Sequence, residues 1–163
     1  MRPVTERDIR DSFVNCTKGE ARRLAVPRDL ATRPWDDLDF LGWRDPASPE
    51  RAYLVTESGE RLVGVALRLA THAGRTRRGM CSLCLTTHPG DGVSLMTARK
   101  AGRDGQQGNS VGVYVCTDLA CSLYLRGRRQ VEIGGRLRES LTLEQQVERT
   151  TANVAAFLHK ITG

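Results

Sequence analysis

Four of the five cysteines in this chain of 163 residues fall in two close pairs. One reads Cys81-Ser82-Leu83-Cys84 and the other Cys116-Thr117-Asp118-Leu119-Ala120-Cys121, with residues 85–115 between them. Thiolates are soft ligands, and a short spacing lets one turn supply two of them, so two such pairs suit a single tetrahedral zinc ion. The alternative is four unrelated buried thiols. A four-thiolate shell is closed: it leaves no position for a water, so the expected metal is one structural Zn2+ with no catalytic part.

The remaining chemistry-bearing residues do not assemble into a reaction. His72 and His88 flank the first pair and His159 stands near the C-terminus. Each reads as a surface group or as a support behind the metal ligands, with His88 also open as a replacement ligand. The sequence contains no HExxH, phosphate-cradling Walker loop, GxGxxG, GxSxG or nucleobase-deaminase pattern. A non-enzymatic protein is therefore expected, with no catalytic residue. Cys16, the isolated cysteine, reads as a buried structural thiol.

Composition bounds the setting. The net charge is +6, from 25 basic and 19 acidic residues. An excess of this size fits an acidic protein surface or nucleic acid as partner, and equally a mixed soluble surface. The first residues, Met1-Arg2-Pro3-Val4-Thr5-Glu6, carry no apolar signal core, and no run approaches a membrane span. A cytoplasmic protein is expected, where thiols stay reduced and paired cysteines favour metal over disulfides.

The elements that must position the cysteines can be read next. Residues 5–14 predict a helix, with Thr5 as N-cap, Asp8 in the box position and Val4 stapled to Ile9. Residues 17–25 predict a second short helix before Pro27, residues 34–38 a turn or helical start, and residues 39–43 a strand. A hairpin is expected from residues 52–57 and 60–69 around Ser58-Gly59, with Val63, Val65, Leu67 and Leu69 on one face. Residues 71–79 read as a basic loop leading into the first cysteine pair. Strands at 93–100 and 110–116 follow, joined by a Gly- and Gln-rich linker at 101–109 that reads as a mobile hairpin tip. Thr117 or Asp118 would cap a helix running to about residue 126, and residues 126–138 read as basic and irregular. The last helix starts at Thr142, boxed by Gln145, with Leu143, Val147, Val154, Phe157, Leu158 and Ile161 as its core stripe.

Turn, hairpin and helix in that order are the order of a treble-clef zinc finger. The expected class is α+β, with antiparallel strands and a four-cysteine finger flanked by N- and C-terminal helices. The chain is expected to be one domain over residues 1–163: N-terminal helices and hairpin at 1–74, finger at 75–129 and C-terminal helix at 130–163.

The particular residues also resemble a family. Cys81-Ser82-Leu83-Cys84, the strand ending Thr97-Ala98-Arg99-Lys100, and Gly112-Val113-Tyr114-Val115-Cys116 with its four-residue interval to Cys121 are similar to the treble-clef domain of elongation factor G-binding proteins of the fusidic-acid-resistance type. The close likeness covers roughly residues 75–126; a looser one in element order includes residues 15–21. Ser82 stands where resistance-type members tend to carry an aromatic residue. The resemblance implies Cys81, Cys84, Cys116 and Cys121 as zinc ligands. It also implies a protein that binds elongation factor G or a related translational GTPase and modulates its release from the ribosome.

Basic residues flank the finger on three segments: Arg75, Arg77 and Arg78 before it, Arg99, Lys100 and Arg103 on the hairpin, and Arg126, Arg128 and Arg129 after the helix. If zinc draws these segments together, the charges cluster and can steer an acidic surface or ribosomal RNA. Tyr114 is a candidate anchor in such a surface, or half-buried packing. The alternative function is thus a nucleic-acid-binding zinc module for ribosomal RNA or DNA.

Overall fold

A computed structural model describes residues 1–70, 78–131 and 139–163. The elements in chain order are α1 (Glu6–Ser12), α2 (Lys18–Arg23), short 3-10 turns at Leu30–Thr32 and Trp35–Asp37, β1 (Leu41–Arg44), β2 (Arg51–Ser58), β3 (Arg61–Leu69), β4 (Gly79–Met80), β5 (Thr87–His88), β6 (Val93–Arg99), α3 (Gly102–Gln106), β7 (Ser110–Cys116), α4 (Cys121–Leu125) and α5 (Leu143–Thr162). The architecture is α+β. One antiparallel sheet of order β1-β2-β3-β6-β7 runs through the molecule, and β4 pairs with β5 in a small second sheet.

The helix starts follow from side-chain chemistry. Thr5, Thr17 and Thr142 each accept the N3 backbone N–H, and Asp8, Glu20 and Gln145 reciprocate to the cap backbone. Three capping boxes thus satisfy the orphan N–H groups at the starts of α1, α2 and α5. Val4 and Ile9 are both buried in the same cluster, as a staple requires.

Two apolar layers sandwich the sheet. On one face Leu54, Val65, Leu67, Met96, Ala98 and Val115 pack with Val154, Phe157, Leu158 and Ile161 of α5, and this layer runs into the cysteines. On the other face Tyr53, Val55 and Trp43 pack under Ile9, Ala21, Leu24 and Trp35. Strand β2 is central to both layers and is buried at five consecutive positions, so it lacks the alternation of a half-exposed strand. Gly64 admits the end of α1 and Phe13 onto β3, since a Cβ there would lie 2.4 Å from Ser12 Oγ and 3.3 Å from the Phe13 ring.

Four local expectations need correction. Ser58 pairs with Arg61, so the hairpin turn is Gly59-Glu60, with Gly59 at φ +61°; the turn lies one residue later than Ser58-Gly59, and the glycine supplies the left-handed conformation at its first central position. The hairpin tip is a short helix, α3, in place of a mobile linker. Lys100 N–H donates to Asn109 O at 2.9 Å and Ala101 N–H to Ile161 O at 2.8 Å, anchoring it to the end of α5. Neither Thr117 nor Asp118 is the cap of α4; that position is Ala120. Leu143 is 47% exposed and stands outside the core stripe of α5, where Thr150 is fully buried instead. Among the described residues no helix is long and apolar enough to cross a membrane.

Candidate metal centre and its surroundings

The Sγ atoms of Cys81, Cys84, Cys116 and Cys121 lie within 4.8 Å of one another, and all four residues are fully buried. Cys81 and Cys121 approach at 3.7 Å and Cys84 and Cys116 at 3.6 Å, so each contact joins one member of each pair. This is a compact four-sulfur donor set with the chemistry of a closed zinc shell.

Each pair depends on a leucine in the left-handed region, Leu85 at φ 59° and Leu119 at φ 57°. A bulky residue rarely adopts this conformation, so its surroundings must fix it. After Cys84 the chain reverses: Leu85 N–H donates to Cys81 O at 2.9 Å and Cys81 N–H to Thr86 O at 2.9 Å. Within that turn Cys81 Sγ accepts the backbone N–H groups of Leu83 and Cys84, both at 3.4 Å. After Cys116 the N–H of Leu119 donates back to Cys116 O at 2.8 Å. Its side chain lies on Gly42 of β1, where a Cβ would come within 2.4 Å of Leu119 Cβ. The four-residue interval in the second pair is therefore the room needed for this reversal, which delivers Cys121 as the first residue of α4.

Ionising four adjacent thiols requires a cation. Hydrogen bonds from neighbouring thiols, Cys116 foremost, drive Cys81 below the usual thiol range. Hydrogen bonding to Cys116 and complete burial push Cys121 well above it. Like charges crowded into a dry pocket cannot coexist without a metal to offset them.

Several contacts hold this pocket. His88, 5% exposed, places Nε2 at 3.3 Å from Cys116 Sγ, and its ring stands edge-on to Tyr124 at 4.6 Å. It is therefore neither a surface group nor one of the four clustered donors, but a support behind Cys116. Burial pushes its pKa down, which favours the neutral ring. The Tyr124 hydroxyl donates to Asp118 Oδ2 at 2.8 Å, and Asp118 Oδ1 accepts Ala120 N–H at 3.0 Å. Asn153 of α5 donates to Leu83 O at 2.9 Å, seating the long helix on the first turn.

Among the described residues, the basic segments do not all gather around the cysteines. Arg75, Arg77 and His72 lie outside the described residues, and Arg78 is exposed beside the metal turn. In the β6–β7 ladder Val93 pairs with Cys116 and Arg99 with Ser110, which puts Arg99, Lys100 and Arg103 about 20 Å away at the far end of the hairpin. Arg126, Arg128 and Arg129 are engaged with Asp39, Asp37 and Asp118, so these charges serve internal ion pairs. Tyr114 is 37% exposed, and His159 is exposed on α5. Cys16 is half-buried, not fully enclosed as expected.

Residues 8–161 match the sequence model of the FBP C-terminal treble-clef zinc-finger family. Among solved structures, the fusidic acid resistance protein FusC has a similar fold, with a TM-score of 0.52 at 16% identity. That likeness covers 88% of this chain and 53% of FusC, so the chain spans about half the length of the protein it resembles. No curated protein matches the chain. The family and the clustered cysteines together give one structural zinc ion per chain.

Proposed function

The chain belongs to the FBP C-terminal treble-clef zinc-finger family, and from that premise we propose that it acts by contact and not by chemistry, as a cytoplasmic protein that binds elongation factor G or a related translational GTPase. Cys81, Cys84, Cys116 and Cys121 are the zinc ligands in this reading. The metal fixes a surface, and the consequence of docking is a change in the factor's conformation or its residence on the ribosome.

The observation that carries this reading is the surface built on the metal turn. Ser82 N–H donates to Tyr114 O at 2.7 Å, which holds the first cysteine turn against β7. On the two segments joined there, Met80 is 46% exposed and Tyr114 is 37% exposed, with exposed Arg78 two residues before Met80. Methionine, tyrosine and arginine are the residue types enriched in protein interfaces. The ordered metal site beneath them lowers the entropic cost of docking. FusC, named for fusidic acid resistance and similar in fold, is consistent with an action at translation.

The test is a pull-down and calorimetric titration of zinc-loaded protein against purified elongation factor G. Binding is expected, with loss on Cys81→Ser plus Cys84→Ser and with weakening of about tenfold for Tyr114→Ala. A zinc-loaded, folded protein that gives no heat and no co-purification sinks the proposal.

A further inference from the structure

The helical layer on the second sheet face covers β1, β2 and β3 and leaves the β6–β7 half open. Where α2 ends and this open half begins, a cavity of about 560 Å³ forms. Four arginines line it: Arg23 from α2, Arg51 from β2, Arg68 from β3 and Arg99 from β6. All four are exposed, and no lysine is among the lining residues.

Their arrangement works against folding. Arg51 and Arg68 are direct cross-strand partners in the β2–β3 ladder, and like charges placed directly opposite destabilise a sheet. Arg10, Arg33, Arg126 and Arg149, by contrast, each meet a carboxylate at 3.1 Å or less. Among the described residues Arg23, Arg68 and Arg99 make no ion pair, and Arg51 reaches only Glu50 at 4.0 Å. One carboxylate, Glu20, borders the cavity, and its Oε2 already accepts the Thr17 N–H at 2.7 Å. Four guanidinium groups thus gather round one concavity with a single carboxylate, Glu20, which feels Arg99 and Arg23, and such a local conflict of like charges marks a functional place.

We propose that this cavity binds a multiply charged phosphate group, of the size of pyrophosphate or the phosphates of a nucleotide. The planar guanidinium fork matches phosphate oxygens in pairs, which a lysine ammonium does not. The volume lies in the range of small-ligand sites. Four arginines converging on one concavity exceed what a single side-chain carboxylate needs, and an acidic peptide or nucleic-acid strand would call for an extended track instead. Thr97 and Ser110 add hydroxyls to the wall. The site is on the opposite sheet face from the layer that holds the cysteines, so it stands independently of elongation-factor binding.

Calorimetric titration of the zinc-loaded full chain with inorganic pyrophosphate, at low and high salt, tests this. One saturable site is expected, weakened by salt, with a loss of about tenfold or more for Arg68→Ala and for Arg99→Ala. Arg61→Ala, at the other end of β3, should leave binding unchanged. Thermal melting of Arg68→Ala should match or exceed the parent, because the opposed pair is removed; this separates a lost site from a lost fold. ADP binding more tightly than pyrophosphate identifies a nucleotide as the source, and ADP binding no more tightly identifies free phosphate. Absence of saturable pyrophosphate binding overturns the proposal. So does binding indifferent to both substitutions, or capture of a glutamate-rich peptide where pyrophosphate is ignored.

Discussion

His88 Nε2 lies 3.3 Å from Cys116 Sγ, and the Tyr124 ring packs edge-on against the imidazole at 4.6 Å. Once Cys116 is a thiolate it can only accept, so the imidazole must donate through Nε2–H. That bond stabilises the negative charge of the sulfur and fixes its direction. His88→Ala is expected to weaken zinc by about 10- to 100-fold, the usual effect of losing a group behind a metal ligand. His88→Gln, which keeps a donor at similar reach, should recover part of the loss. Competition with a chelator of known affinity reads both, and equal affinity of all three proteins would count against the role.

Asp39 and Arg126 form a bidentate ion pair at 2.7 and 2.8 Å, with side chains 8% and 16% exposed. The pair joins the segment before β1 to the residue after α4, and Ser122 Oγ accepts the Asp39 N–H at 2.9 Å beside it. Removing one partner strands the other's charge in a poorly solvated place. Asp39→Ala should therefore cost about 3–5 kcal/mol in denaturant unfolding. The double variant Asp39→Ala, Arg126→Met should cost less than Asp39→Ala alone; simple additivity would show that the charges are solvated after all.

The features the sequence expressed were local ones. Cysteine spacing, three threonine caps and hydrophobic periodicity each act within a few residues, and they located the finger, α1, α5 and the β6–β7 hairpin. What escaped depends on distant partners. Nothing near Asp39 marks Arg126 as its mate, and nothing around His88 says that its ring turns inward to Cys116. The charges of Arg99 and Lys100 looked near the metal because the chain is continuous there, yet an extended strand carries them away from it. The arginine cavity was invisible because Arg23, Arg51, Arg68 and Arg99 come from four separate elements. Left-handed Leu85 and Leu119 have no sequence mark either, since leucine adopts that conformation only when its surroundings impose it.

Gly105 explains why the hairpin tip is ordered, and it yields a sharp test. It is buried in α3, and a Cβ there would lie 1.7 Å from the Lys100 carbonyl oxygen. Backbone cannot rotate aside as a side chain can. Gly105→Ala should therefore destabilise by about 1–3 kcal/mol despite alanine's better helix propensity. Gly102→Ala is strained as well, by its φ of +66°, but meets no atom within 4 Å, so it should cost less. Melting temperatures of the two variants give the order, and amide exchange at Ala101 should rise in Gly105→Ala if the tip lifts from the end of α5.

Tyr53 predicts how the fold fails at high pH. Its hydroxyl donates to Asp45 Oδ2 at 3.1 Å on the sheet face that packs against α1 and α2, and Asp45 also holds the Ala47 and Ser48 N–H groups. Burial, and then the Asp45 carboxylate, push the phenol from 10.0 up to about 12. A pKa raised in the folded state means the native protein holds a proton that the unfolded chain releases. The associated stability is complete below pH 10 and is lost as pH rises through about 12. Tyr53→Phe should lower stability at neutral pH by about 1 kcal/mol, through the lost hydrogen bond. It should also flatten the alkaline decline, with Tyr124, raised by burial and Asp118, retaining part of the slope. Denaturant unfolding of both proteins at neutral pH and across the alkaline range measures the difference; parallel declines would show that Tyr53 ionises freely in the native state.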